Sequence, residues 1–410
     1  MKKLDKGLLR KLLLGCVYAA GAALIVASGG SGSGSSGFVC KLDVGAIAPA
    51  SDGSEDIWVG VVSTASGQQF NSVARLDGNG LEKIGVSVGS GDDNTVRTIA
   101  VAADGSNNIY VGGDFAEGIF RLKPDGTLDT AFDVGTGFNG SVLKIIPVAN
   151  GSGAIYVAGD FSSYNGAVVS GFVRLNADGS RDTNFTAITQ PVQDMAMAED
   201  PGIVPDLDYV YSGSAGSYNL ARWFPSGSTS PDPAFSPVPV SPVYSILPAL
   251  DGTGTLYAGG GFSEQLIRLF RIGTEDTSFS IGSGFDGDVR RLLRADDGSG
   301  NIYVAGEFTT FQGSPAGGLV RLQNDGALDT SFNIGTGFTG SDGPAPFSDL
   351  AAIALAPGAS GDVYVGGDYQ NYKGTASNGL VRLNSDATLD PVFEVRVSHD
   401  GEECSSDTLP

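Results

Sequence analysis

Histidine is almost missing from this chain of 410 residues: there is one, His399, and it stands in a polar tail. Its scarcity excludes multi-histidine zinc sites and most Ser-His or Cys-His nucleophile pairs. Cysteine is scarce too, with three. Charged residues make up 17%, and basic ones are the minority, 24 Lys and Arg against 46 Asp and Glu for a net charge of -22. So little charge excludes a coiled coil, and the acidic excess repels phosphate backbones, so no nucleic-acid partner is expected. What the chain does have is glycine: 62 residues, about twice ordinary usage. With 41% hydrophobic and 9% aromatic residues it can still fill a sizeable core, as two or three domains or one large β architecture.

Five cations, Lys2, Lys3, Lys6, Arg10 and Lys11, precede an uncharged stretch from Leu12 to Ala27. That is the pattern of an export signal, read as residues 1–28. The apolar stretch would reach about 24 Å as a helix, short of the ~30 Å hydrocarbon core. Small residues near Val26, Ala27 and Ser28 offer a cleavage site, whereas the Gly/Ser linker of residues 29–39 suits a tether to a retained anchor; both readings stay open. Leu13-Leu14-Gly15-Cys16 also resembles a lipoprotein signal in which Cys16 carries the lipid. Membrane contact is expected through this segment alone.

The rest of the chain repeats itself. A β-branched and aromatic run ending in small residues recurs seven times, starting at Ile57, Ile109, Ile155, Tyr209, Leu256, Ile302 and Val363. A second run precedes each: VGAI, VRTI, VLKI, VQDM, VYSI, VRRL and LAAI. In six repeats ten residues separate the end of this run from the next anchor, and Asp-Gly turns such as Asp104-Gly105 lie between, which predicts a hairpin. Downstream an arginine opens a third element in every repeat: Arg75, Arg121, Arg174, Arg222, Arg268, Arg321 and Arg382. A D-x-x-F motif follows in all but the first, with Asp129, Asp182, Asp232, Asp276, Asp329 and Asp390. Seven units of four short strands predict an all-β fold, a seven-bladed β-propeller of four-stranded antiparallel blades over residues 40–404, with repeats starting near 44, 96, 142, 192, 243, 289 and 350 and a tail at 405–410.

The joint pattern VxxI, DG, IYVGGDF, YNG and RLNxDGxLDxxF resembles the bacterial delta-60 propeller repeat, and the glycine-ended second strand is similar to kelch-type blades. The resemblance spans Val44 to Val397. It implies an exported or surface-associated bacterial protein, and it brings no common activity or catalytic set. Because four strands read as contiguous in both end repeats, ring closure needs another clasp. Cys40, just before the first strand, and Cys404, just after the last, are placed for a disulfide in an oxidising compartment.

Several motifs carry candidate chemistry. Gly135-Thr136-Gly137-Phe138-Asn139-Gly140 satisfies G-x-G-x-x-G, as do the segments from Gly282 and Gly335, but each leads into a β run and not a helix. No cofactor is expected. The recurrent Arg and Asp read as structural pairs, since a catalytic constellation is asymmetric. Asp114, Asp160, Glu307 and Asp368 follow the small pair in four repeats; they are either strand-end hydrogen-bond acceptors or a carboxylate rim attractive to Ca²⁺. Tyr164-Asn165, Phe311-Gln312 and Tyr372-Lys373 sit in loops that break the seven-fold symmetry; their aromatics are either tucked over the blade edge or exposed, where they would stack on a sugar or anchor a protein. The expected function is an exported, non-enzymatic propeller that binds a protein or glycan in the cell envelope or outside the cell. The alternatives are a carbohydrate-active hydrolase or lyase with paired carboxylates on one face, and a structural element of an envelope assembly or adhesin.

Overall fold

The computed structural model describes residues 41–399 and 402–405, except 66–67, 91–93, 170, 186–187, 200–207, 217–218, 225–226, 228–229, 239, 250–252, 341–349, 359 and 378. The chain divides into two units, Met1–Phe38 and Val39–Pro410. The expected export segment and linker, Cys16 and Cys40 lie outside the described residues, so the Cys40–Cys404 disulfide does too. Among the described residues there is no α-helix, and none long and apolar enough to cross a membrane.

Seven antiparallel sheets repeat one plan. They open with the strands Lys41–Pro49, Val96–Val101, Ser141–Pro147, Asp194–Glu199, Val243–Pro248, Val289–Arg294 and Ala352–Leu355. Each first strand pairs with a middle strand: Ile57–Ala65, Ile109–Gly113, Ile155–Asp160, Asp208–Gly213, Leu256–Gly260, Ile302–Gly306 and Val363–Gly366. The middle strand pairs in turn with a third, among them Ile119–Leu122 and Leu380–Leu383. In the second sheet all five middle-strand residues, Ile109 to Gly113, are buried. A run so uniformly apolar is what a strand covered on both faces requires, and here the covers are the neighbouring sheets.

The small residues at the ends of these strands set the spacing between sheets. A methyl group on Gly112 would lie 2.5 Å from Val142 Cγ1 of the third sheet, one on Gly259 2.5 Å from Val289 Cγ1 of the sixth, and one on Gly366 2.7 Å from Val44 Cγ1 of the first. The seventh sheet therefore meets the first through the same packing that joins second to third. The first strands also touch in cyclic order, each against the next and the last against Lys41–Pro49, so they stand innermost.

The clasp that closes this circle is made of backbone. Glu394 N donates to Asn79 O at 2.9 Å and Arg396 N to Gly80 O at 3.0 Å, and Leu81 and Arg396 form a parallel bridge. The Glu394 bond repeats at interior joints: Asp133 N to Asp178 O, Ser236 N to Ile272 O and Ser280 N to Asp325 O, each 2.9 Å.

Two expectations need correction. A fourth strand is present in the first sheet, Glu82–Ser90, and in the third, Ile188–Thr189. In the second, fifth, sixth and seventh the corresponding chain makes single bridges, Leu122–Leu128, Leu269–Glu275, Leu322–Leu328 and Leu383–Leu389. There the D-x-x-F segment turns back on itself: Asp129 N bonds Arg121 O, and Phe132 N bonds Asp129 O. In the fourth repeat Tyr211 faces Arg222 as Tyr110 faces Arg121, so Val210, not Tyr209, is the counterpart of Ile109.

Candidate functional site

The recurrent arginines are spent on the joints between sheets. Arg121 pairs with Asp129, Arg174 with Asp182, Arg222 with Asp232, Arg268 with Asp276 and Arg321 with Asp329, each at 2.7 Å, and Arg382 pairs with Asp390. From the same guanidinium a second arm reaches the next sheet: Arg121 Nη1 donates to Ala177 O at 2.8 Å, Arg222 Nη1 to Arg271 O at 2.8 Å, and Arg382 Nη1 to Gly78 O of the first sheet at 2.9 Å. Arg121 also lies 5.0 Å above the Phe132 ring, which explains the Phe of D-x-x-F. The first repeat lacks that motif, and Arg75 pairs instead with Asp52 and, at 2.7 Å, with Asp56 of its own first hairpin. Burial disfavours the charge of Arg121, Arg222, Arg268, Arg321 and Arg382, but tyrosine hydroxyls and the paired carboxylates outweigh it and hold each pKa above arginine's ordinary value.

The symmetry-breaking loops do not present their aromatics. Tyr164, Phe311 and Tyr372 are buried, packed 4.6, 4.8 and 4.7 Å from the rings of Phe138, Phe285 and Phe338. Tyr372 Oη donates to Ala387 O at 2.7 Å, and Tyr164 Oη bonds Gly179 O. Each loop is a tight hairpin whose two tip residues are left-handed, Asn165 and Gly166 at φ 47° and 77°, the geometry that matches strand twist. Register forces the aromatic inward, and the exposed tip residues turn back on the scaffold: Thr136 N donates to Asn165 Oδ1 at 3.2 Å, Gln312 Nε2 to Ile281 O at 3.0 Å and Lys373 Nζ to Asn333 O at 2.7 Å. The G-x-G-F turns are the platforms for these hairpins. Asn139 Oδ1 accepts Ser162 N and Ser163 N, both at 2.8 Å, and Asp286 Oδ1 accepts Thr309 N and Thr310 N at the same length.

An asymmetric polar arrangement lies instead on the first, innermost strands. In the V-x-x-I runs the outer residues pack between sheets, while the two central ones vary. Five first strands carry a bulge at the first variable position, held by Gly45, Arg97, Leu143, Tyr244 and Arg290. The second variable position forms a chain of contacts running from the third sheet to the seventh. Lys144 Nζ lies 3.1 Å from Asp194 Oδ1, whose Oδ2 accepts Ile246 N at 2.8 Å. Ser245 Oγ accepts Leu292 N at 3.1 Å, and Arg291 Nε donates to Ala351 O at 2.9 Å. Asp194 and Ser245 are buried. They satisfy backbone N–H groups at the open edge of the next sheet's first strand, which has no further strand to pair with. At the bulge level Arg290 stacks 4.0 Å over the Tyr244 ring, 2.7 Å from Glu307 and 3.3 Å from Asp288. Burial works against its charge; Glu307, Tyr244 and Asp288 more than compensate, and its pKa stays above the ordinary value.

The four carboxylates considered as a cation rim belong to four different sheets. Asp114 is held by Arg97 at 2.8 Å and Glu307 by Arg290, and among the described residues no three His, Cys, Asp or Glu side chains gather as a metal-holding group. His399 and Cys404 stand in the paired strands Arg396–His399 and Glu402–Ser405.

Four segments, residues 105–132, 151–185, 298–332 and 359–393, match the family described as domain of unknown function (DUF5122) beta-propeller. They hold the middle strand and the Arg/Asp/Phe clasp of the second, third, sixth and seventh repeats. The chain is a β-propeller repeat protein. Among solved structures the propeller is similar to Sqt1 from Chaetomium thermophilum bound to the N-terminus of the ribosomal protein L10, at 12% identity over 84% of this chain and 85% of that chain, TM-score 0.49. It is also similar to the Dos1 propeller, at 11% identity over 89% and 94%, TM-score 0.46. No curated protein matches the chain.

The propeller also carries an open depression of about 460 Å³ between the fifth and sixth sheets, lined by Arg268, Ser278, Ser299, Asn301, Gln323, Asn324 and Asp325. It presents one carboxylate. Sequence reasoning missed the inner-strand belt although its signal was present: within V-x-x-I, the central pair changes from Gly-Ala through Gln-Asp to Arg-Arg while the flanking positions stay apolar.

Proposed function

We propose that the chain is an exported or surface-tethered, non-enzymatic propeller of the delta-60 kind, seven-bladed, that binds a protein partner at the mouth formed by its innermost strands. The observation that carries this reading is the Tyr244–Arg290 stack braced by Glu307 and Asp288. It stands where the repeat varies, whereas the groups common to the repeats are consumed in joints. Aromatic and arginine side chains held rigidly at one place are the usual anchors of protein recognition. Seven repeats and the cyclic contacts of the first strands support the blade count. The N-terminal cations and apolar stretch support export. Cleavage of a glycosidic bond takes two carboxylates, and the depression by Arg268 offers one, so binding is favoured over hydrolysis there. The test is crosslinking of the full chain in its native envelope, comparing wild type with Tyr244→Ala/Arg290→Ala. Loss of one or more partners supports the reading; an unchanged partner list defeats it, and loss of a glycan in place of a protein redirects it.

A further inference from the structure

The repeats serve as controls for one another, and the joint between the fifth and sixth sheets departs from the rest. In the third, fifth and seventh repeats the first hairpin packs on the turn after the third strand. A methyl group on Gly153, Gly254 or Gly361 would lie 2.9, 3.0 or 3.2 Å from the Cβ of Ala177, Arg271 or Ser385. In the second repeat Asn107 takes the glycine's place, and Ser51 Oγ of the first sheet donates to its Oδ1 at 2.6 Å. The space left at that joint is about 10 Å³. At Gly300 of the sixth repeat, among the described residues, nothing lies within 4 Å of such a methyl group. Hairpin and turn stay apart, and the space between Ser299, Asn301 and the turn Gln323-Asn324-Asp325 is the depression of about 460 Å³.

The carboxamides on its walls are held in fixed orientations. Arg268 Nη1 and Tyr257 Oη, both of the fifth sheet, donate to Asn324 Oδ1 at 2.9 and 3.3 Å. The Asn324 amide N–H groups are thereby left as the outward donors. Asn301 Nδ2 donates to Asp329 Oδ2 at 2.9 Å, which leaves Asn301 Oδ1 as an acceptor. Among the described residues neither of these groups, nor the Gln323 carboxamide, has a hydrogen-bond partner. No other repeat places two carboxamides together in this turn: the pairs there are Asp77-Gly78, Lys123-Pro124, Asn176-Ala177, Phe224-Pro225, Phe270-Arg271 and Asn384-Ser385.

Fixed donors beside fixed acceptors select a group that does both. A phosphate only accepts and an ammonium only donates, whereas a hydroxyl gives and takes. Charge points the same way, since Arg268 is neutralised by Asp276 at 2.7 Å and Asp325 is the one carboxylate left on the wall of an acidic chain. Every lining residue is polar or charged, so an apolar side chain of a peptide would find no seat. A sugar ring carries hydroxyls around its rim, and the volume lies in the ordinary range of small-molecule sites.

We propose that the depression between the fifth and sixth sheets binds a neutral sugar, its hydroxyls held by Asn301, Gln323, Asn324 and Asp325. The site lies apart from the inner-strand mouth and does not rest on the reading of that mouth as a protein-binding surface.

The test is saturation-transfer-difference NMR of the full chain with glucose, galactose, mannose, N-acetylglucosamine, cellobiose and lactose at millimolar concentration. At least one sugar is expected to receive saturation at its ring protons; none doing so overturns the proposal. Gly300→Asn rebuilds the second repeat, where Asn107 has φ 56° against 75° at Gly300, and is expected to bind at least tenfold more weakly while melting no earlier than wild type. Gln323→Ala, at an exposed position without a partner, is expected to weaken binding several-fold and decides the matter if Gly300→Asn does not fold. Unchanged affinity in the folded variants overturns the proposal, as does displacement of the sugar by inorganic phosphate. Gly300→Asn is expected to keep every envelope crosslink. Loss of a protein crosslink in it, with no sugar bound by wild type, gives the depression to the protein partner and overturns the sugar assignment.

Discussion

Removing Arg222 should be among the most damaging single changes to this propeller. Its side chain is 1% exposed, and it donates to Asp232 Oδ2 through Nε at 2.9 Å and Nη2 at 2.7 Å. It also reaches Arg271 O of the fifth sheet at 2.8 Å and lies 4.7 Å over the Tyr209 ring. In Arg222→Ala the Asp232 carboxylate, itself 4% exposed, would be left buried and unpaired by its guanidinium. Orphaning one member of a buried ion pair costs about 3–5 kcal/mol. With an unfolding entropy of roughly 2.1 cal/mol/K per residue, about 0.8 kcal/mol/K for a chain of this size, the apparent Tm should fall by about 4–6 °C. Arg174→Ala is the comparison, because Arg174 makes the same pair with Asp182 but is 32% exposed, so water replaces more of what is lost. Thermal and urea unfolding of both variants decide the matter. A loss below about 1 kcal/mol in Arg222→Ala, or equal losses in the two, would refute desolvation as the reason these pairs matter.

Two more outcomes follow from the same geometry. Gly80 has φ of +88°, and a methyl group there would lie 2.7 Å from the Glu394 carbonyl carbon across the joint between last and first sheets. Gly80→Ala should therefore destabilise by about 2 kcal/mol or more, against about 1 for Gly53→Ala, which has a similar φ but open space; hydrogen exchange should show the Glu394 and Arg396 amides losing protection first. Asp52 has its pKa lowered to about 2, with the Ser54 hydroxyl donating to it and Arg75 beside it while partial burial opposes the shift. A depressed carboxylate stabilises the fold above its unfolded pKa, so this contribution is complete above about pH 4 and vanishes as pH falls through 2. Urea midpoints measured from pH 5 to 2 should fall less steeply in Asp52→Asn than in wild type.

The hairpins, the glycine-ended middle strands and the Arg/Asp/Phe pattern were legible because each is a local preference repeated at fixed spacing. The inward turn of Tyr164, Phe311 and Tyr372 was one of two readings left open, since a loop aromatic reads the same in sequence whether it faces water or a neighbouring ring. Only the left-handed pair at each hairpin tip fixes the register that buries it. The fourth strand was over-read for a related reason: L-D-x-x-F has strand-like composition, but its Asp caps the following turn and draws the chain out of the ladder, as Ala131 N bonding Asp129 Oδ1 at 3.1 Å illustrates.

The sequence by itself determined the repeating β-hairpin unit, the scarcity of histidine, and the acidic net charge, because these depend on composition and on contacts within one repeat. The tertiary structure decided how the ends meet. Asn79 and Glu394 are far apart in sequence and share no motif, yet their backbone bond completes the circle as its counterparts join neighbouring repeats. It also decided that the variable centre of V-x-x-I, and not the symmetry-breaking loops, brings Lys144, Asp194, Ser245 and Arg291 into one continuous arrangement. Such placement depends on the angle between sheets, which long-range packing sets and no single repeat encodes.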